Sequence, residues 1–154
     1  MRKLIITVFL FVSSMISNSN ADGHAIKMGI ILGFTGPIES LTPAMAASAE
    51  LAFKEASDSG SLLGGKYISV TRADSTCVDS AAAVTAAEGL VSGGTVAIMG
   101  ADCSGVTGAI AEKVAVPNGV VMISPSATSP GLTDINDRGY FFRTAPSDAR
   151  GGQI

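Results

Sequence analysis

Ser104 stands where a hydroxyl can do chemistry. It belongs to Ala97-Ile-Met-Gly-Ala-Asp-Cys-Ser-Gly-Val-Thr107, in which an apolar run over residues 96–99 ends in glycine and a polar turn leads into a helical pattern. Val106, Ala109, Ile110 and Val114 share one face of that pattern. The stretch reads as a strand, a tight turn and a helix start. The first N–H groups of a helix have no partner within it, and the helix dipole is positive there. Such a helix start, with a hydroxyl beside it, suits an anion, of which a carboxylate is the smallest common one.

The remaining reactive types are few. Cys77 and Cys103 are the two cysteines and His24 the single histidine. No Cys or His pair has metal-ligand spacing, and no Ser-His or Cys-His catalytic pair can be built around His24. The turn at Gly100 lacks the lysine of a phosphate-binding GxxxxGK[ST] loop, and no GxGxxG follows the first strand. Cys103 as a nucleophile would lack a histidine partner. These observations argue against an enzyme, a metal site and a cofactor. A net charge of −3, no Trp and two Tyr argue against a nucleic-acid partner.

The first residues address the chain. Arg2 and Lys3 precede an apolar segment over residues 4–16, and Ser19-Asn20-Ala21 offers small residues at a cleavage site. The segment falls short of the ~20 residues of a spanning helix, so residues 1–21 read as a signal peptide and the mature chain as starting at Asp22. An oxidising compartment favours pairing of Cys77 with Cys103, two free buried thiols being the alternative. A bridge closing this ~25-residue loop contributes roughly 3 kcal/mol.

The elements that position these residues alternate. The 154 residues, 47% hydrophobic and 15% charged, supply the core of one ordinary domain. Residues 26–33 are nearly continuous apolar residues, as in a strand buried on both faces. Thr42-Pro43 reads as an N-cap with proline at the first helical position, followed by Met45, Ala49, Ala52, Phe53 and Ala56 on one face. A second strand is expected over 67–72 and a second helix over 81–91, capped by Asp79 or Ser80 and stopped by Gly93-Gly94. A fourth strand is expected over 120–123 and a fifth over 140–143. This βαβαβαβ pattern predicts a three-layer α/β fold, a parallel sheet of flavodoxin-like order 2-1-3-4-5 with helices on both faces. Ligands of such sheets bind beyond the strand C-termini, where strand order reverses. Loops 34–41, 74–79, 100–107 and 124–130 meet at that edge and hold nearly all the hydroxyl clusters.

Lys27-Met-Gly-Ile-Ile-Leu-Gly-Phe-Thr-Gly-Pro37, Asp74-Ser-Thr-Cys77, Gly100-Ala-Asp-Cys-Ser104 and Ile123-Ser-Pro-Ser-Ala-Thr-Ser-Pro130 together resemble the leucine/isoleucine/valine-binding protein family, the periplasmic substrate-binding subunits of branched-chain amino-acid ABC transporters. Tyr140-Phe-Phe-Arg-Thr144 is similar to the family's approach to its interlobe hinge. The resemblance implies a two-lobed clamshell, monomeric and periplasmic, that closes on a branched-chain or related amino acid and delivers it to an inner-membrane permease complex. It implies ligand contacts from Leu41, Cys103, Ser104, Ser126, Ala127 and Thr128. By position, Ser104 resembles the serine that binds the α-carboxylate, Ser126 a residue whose backbone carbonyl receives the α-ammonium, and Thr128 one whose hydroxyl and backbone serve both. Cys77 and Cys103 match the family's disulfide. Leu41 stands where some members carry a tyrosine, which bears on side-chain specificity.

Family members are typically more than twice this long. Residues 22–146 are therefore expected to form an incomplete N-terminal lobe and residues 147–154 the start of a second. The alternatives are the ectodomain of a sensory receptor of the same fold, or a binder of amides or small carboxylic acids.

Overall fold

Five parallel strands in the order β2-β1-β3-β4-β5 form the centre of the molecule. The computed structural model describes residues 25–153, so the signal segment read at residues 1–21 lies outside the described residues. The strands are β1 (Ala25–Leu32), β2 (Tyr67–Asp74), β3 (Ala97–Gly100), β4 (Val121–Ser124) and β5 (Phe141–Arg143). Between them run α1 (Thr42–Asp58), α2 (Ser80–Ser92) and α3 (Ser104–Ile110), the last continuing into a π-turn at Ala111–Ala115. Strand order and class are those the alternating pattern predicts.

The apolar residues of β1 serve two cores because successive side chains leave a strand on opposite faces. Ile30 and Leu32 pack with Ala46 of α1, and Ile31 packs with Ile98, Met122, Phe141 and the buried faces of α2 and α3. All three β1 residues are fully buried, and each such side chain contributes about 1.5–3 kcal/mol relative to exposure. The two faces are not equally covered. Met99, Ile123 and Phe142 are register neighbours on the α1 side of the sheet. Met99 joins the α1 core, but Ile123 is 41% and Phe142 52% exposed.

Two local expectations are corrected. Thr42 is not the N-cap of α1. That position is Leu41, and the Thr42 hydroxyl instead donates to the Gly33 carbonyl at 3.0 Å, tying the helix start to the end of β1. Ala52, expected on the apolar face, is exposed, whereas Thr42 and Ala46 are the buried positions of α1. β2 also runs past Arg72, which puts Asp74 at its last residue. The cap of α2 is Asp79, whose carboxylate accepts from the Ala81 and Ala82 N–H groups at 2.9 and 3.0 Å.

Two glycines set the paths of the edge loops. Gly100 has φ +130°, and a Cβ there would lie 1.9 Å from the Ile31 carbonyl oxygen. Gly36 has φ +94°, and a Cβ would lie 2.5 Å from the Thr76 oxygen. Both conformations belong to glycine.

Candidate functional site

The C-terminal edge of the sheet is assembled around a buried carboxylate that sequence reasoning missed. Asp102 follows β3 and is 4% exposed. It accepts the Gly33 N–H at 2.7 Å, the Cys103 N–H at 2.8 Å and the Ser75 hydroxyl at 3.4 Å. The chain just beyond β1, β2 and β3 is thereby bound to one side chain. Beside it a Cys77–Cys103 disulfide spans 26 residues with a Cα–Cα distance of 5.2 Å, the pairing that export favours.

Asp74 braces the outer part of this corner. Its carboxylate accepts the Thr35 hydroxyl, the Thr35 N–H at 3.3 Å and the Thr76 N–H at 2.8 Å. Burial pushes this carboxyl up, but the hydrogen bonds from Thr35, Thr76 and Phe34 outweigh it and hold it below the ordinary range. Nearby, Arg72 grips Glu50 with two bonds, at 2.6 and 2.7 Å, and lies 5.6 Å over the Phe34 ring. Hydrogen bonding to Arg72 lowers the Glu50 carboxyl.

The other side of the edge belongs to β3 and β4. Ser124, buried at the end of β4, donates to the Ala101 carbonyl and accepts the Ala127 N–H at 3.0 Å. Ser126 donates its hydroxyl to the Asp102 carbonyl at 3.0 Å. Ser104, the first residue of α3, accepts the N–H groups of both Thr128 and Ser129, each at 3.1 Å. A hydroxyl oxygen has two lone pairs, so Ser104 is left with its O–H as a donor. The Thr128 N–H is engaged with Ser104, while among the described residues no hydrogen bond reaches the Thr128 hydroxyl.

Backbone carbonyls in this loop are used almost in full. Those of Ser124 and Pro125 accept from the Thr144 N–H and hydroxyl, at 3.0 and 3.2 Å. That of Thr128 accepts the Asp148 N–H at 3.0 Å. Those of Ala127 and Ser129 accept from the Arg143 guanidinium at 3.4 and 2.8 Å. Between residues 124 and 129 only the Ser126 carbonyl receives no donor among the described residues.

Cys103, Ser104, Ser126, Ala127 and Thr128 are thus brought into one network by three strands. Leu41 is not part of it: it is 61% exposed at the start of α1 and belongs to neither core. Asp102, Ser75, Ser124 and Arg143 are the contributors that sequence reasoning missed. Asp102 had a signal, being the acidic residue in the turn that precedes α3. No closed pocket lies at this edge among the described residues, and none of their helices is long and apolar enough to cross a membrane.

A family model for periplasmic binding proteins matches residues 25–153: the chain belongs to that family. Among its relatives, the leucine-specific-binding protein of Salmonella typhimurium is 30% identical over 154 residues, which cover 99% of this chain and 40% of the relative. The structure of the branched-chain amino acid transporter substrate binding protein LivJ from Streptococcus pneumoniae, in complex with isoleucine, is similar with a TM-score of 0.72 and 32% identity, over 81% of this chain and 35% of that one. A solute binding protein of an ABC transporter from R. palustris, in complex with benzoate, is similar with a TM-score of 0.71 and 26% identity, over 84% of this chain and 35% of that one. The chain spans well under half the length of each of these proteins.

Proposed function

We propose that this chain is the front part of a periplasmic substrate-binding component of an ABC transporter, which takes up a branched-chain or related amino acid by its α-carboxylate and α-ammonium groups and presents it to an inner-membrane permease complex. The observation that carries this reading is the opposite polarity of two neighbouring groups. Ser104, with both lone pairs occupied, offers a donor and selects an acceptor such as a carboxylate. The Ser126 carbonyl, without a donor among the described residues, offers an acceptor and suits an ammonium. The Thr128 hydroxyl, which no hydrogen bond reaches among the described residues, serves either. A zwitterion matches such a pair, and the leucine- and isoleucine-binding relatives support the side-chain class.

In this reading residues 22–146 form one lobe, and the chain enters a second near residue 147. The chain is exported and cleaved after Ala21. N-terminal sequencing of the periplasmic product should begin at Asp22, and an intact Met1 would contradict it.

Calorimetry on the full-length protein tests the ligand. Leucine, isoleucine or valine should bind, and Ser104→Ala should weaken binding by about one to two decades, the worth of a hydrogen bond to a charged group. A second reading, a small carboxylic acid as ligand, is favoured by the benzoate-bound neighbour. It predicts tight benzoate binding and no dependence on an ammonium group. Failure of all these ligands, or unchanged affinity in Ser104→Ala, overturns the proposed site.

A further inference from the structure

The Arg143 guanidinium does more than end a strand. It lies half-buried at the last residue of β5 and spreads over the 124–133 loop. Nη1 donates to the carbonyls of Ser129 at 2.8 Å and Ala127 at 3.4 Å, and Nη2 to the Thr133 hydroxyl at 2.6 Å. These are charge-assisted bonds from a rigid planar fork.

What they hold is informative. In a trans peptide the C=O and the next N–H point opposite ways, and the cis bond among the described residues lies elsewhere, at Gly100–Ala101. The Ala127–Thr128 peptide is gripped at both ends, its carbonyl by Arg143 and its N–H by Ser104. The next peptide is gripped the same way, its carbonyl by the Asp148 N–H and its N–H by Ser104. The preceding peptide gives its N–H to buried Ser124, which turns the Ser126 carbonyl away from that interior group. A donor on a carbonyl polarises its peptide and strengthens the bond its N–H makes. Arg143 therefore acts through one peptide plane on the lone pairs of Ser104.

We propose that Arg143 is a positioning residue of the ligand site: by clamping the Ala127–Thr128 peptide from the far side it keeps the Ser104 oxygen saturated with N–H donors, so that the Ser104 hydroxyl faces the ligand carboxylate only as a donor. This rests on the functional reading above. Arg143 itself touches no ligand in this scheme. It links the segment leaving the sheet, residues 143–148, to the loop that reads the ligand.

The test uses the full-length protein, leucine, and leucinamide, which keeps the ammonium but replaces the carboxylate by a neutral amide. Arg143→Lys retains the charge and loses the fork. In the ligand-free protein it should speed amide exchange at Thr128 and Ser129 by about tenfold, and it should lower the ratio of leucine to leucinamide affinity by about tenfold. Thr133→Val, which removes only the Nη2 partner, should do the same by about threefold, and decides the matter if residue 143 variants fail to fold. In a Ser104→Ala background the ratio should no longer respond to Arg143→Lys. A lowered melting temperature with exchange and ratio unchanged would make Arg143 merely structural and overturn the proposal. So would full additivity of Arg143→Lys with Ser104→Ala. Wild-type protein that ignores leucine, isoleucine and valine alike overturns the functional reading together with this proposal, whereas leucine binding with an unmoved ratio overturns this proposal alone.

Discussion

The two sides of the sheet's C-terminal edge are built by different means. At the ends of β1, β2 and β3, a buried carboxylate and a covalent bridge join Gly33, Ser75, Cys77 and Cys103. At the ends of β4 and β5, joined by Ser104 at the start of α3, hydroxyls, N–H groups and one guanidinium hold residues 124–129 through hydrogen bonds to the backbone. The first side constrains the chain and leaves little to a ligand. The second side ends in groups of unsatisfied polarity, the Ser104 O–H, the Ser126 carbonyl and the Thr128 hydroxyl. Rigidity and recognition are thus divided between neighbouring loops, and substitutions should separate them.

The largest separation should come from the bridge. Replacing both Cys77 and Cys103 by serine frees a 26-residue loop, which costs about 3 kcal/mol of stability in the chain-entropy model. Leucine affinity measured below the melting transition should change by less than about threefold, because the substitutions remove two sulfur atoms and leave the Cys103 backbone in place beside Ser104. A loss of affinity as large as that of Ser104→Ala would erase the division.

Asp102→Ala comes next and should cross it. It strands two backbone N–H groups at Gly33 and Cys103, at about 1–3 kcal/mol for each unsatisfied group. Asp102→Asn, which keeps one acceptor, should lose about half as much. Both variants should also weaken the ligand, since Cys103 leads directly into Ser104. Denaturant melts paired with calorimetry read the two effects separately. Ser104→Ala should lower affinity by about one to two decades and, because it strands the part-buried Thr128 and Ser129 N–H groups, should also lower the melting temperature, by less than Asp102→Ala does.

The smallest effect is one of pH. The Asp74 carboxyl is held below its ordinary value in the folded protein, so its contribution is fully present above the unfolded value of about 3.9 and is lost as pH falls through the folded value. Asp74→Asn should therefore be less stable than wild type near neutrality, and the gap should close below about pH 4. Urea midpoints across that interval test the sign. A gap that widens in acid would show that the hydrogen bonds do not favour the charged form.

Much of this architecture is legible in the residues. The nearly continuous apolar run of β1, interrupted only at Lys27, announces a central strand, and the alternation of helical and strand periods announces parallel order, so the convergence of four loops follows from topology. What the residues do not announce is side-chain direction within those loops. Asp102, Ser124 and Arg143 are polar residues in turns or at strand ends, where an exposed position is the ordinary expectation. Their placement depends on contacts between residues about 10 to 70 positions apart, such as Gly33 with Asp102, Ser124 with Ala101 and Arg143 with Ser129. Thr42 shows the same limit on a smaller scale. A threonine before proline has the chemistry of a cap, but here the carbonyl of Gly33 lies within reach of its hydroxyl and takes the bond.

Gly100 has a practical consequence for anyone wishing to redesign this edge of the sheet. With an added Cβ placed 1.9 Å from the Ile31 oxygen, no other amino acid enters without prising apart the two strands that begin the site. A library randomised at residues 100–104 and sorted for folded protein should return glycine alone at the first position, with variety increasing toward Ser104. Redesign therefore has a fixed origin: the turn can be given new letters after Gly100, and every successful variant will inherit the same starting point and the same direction of travel.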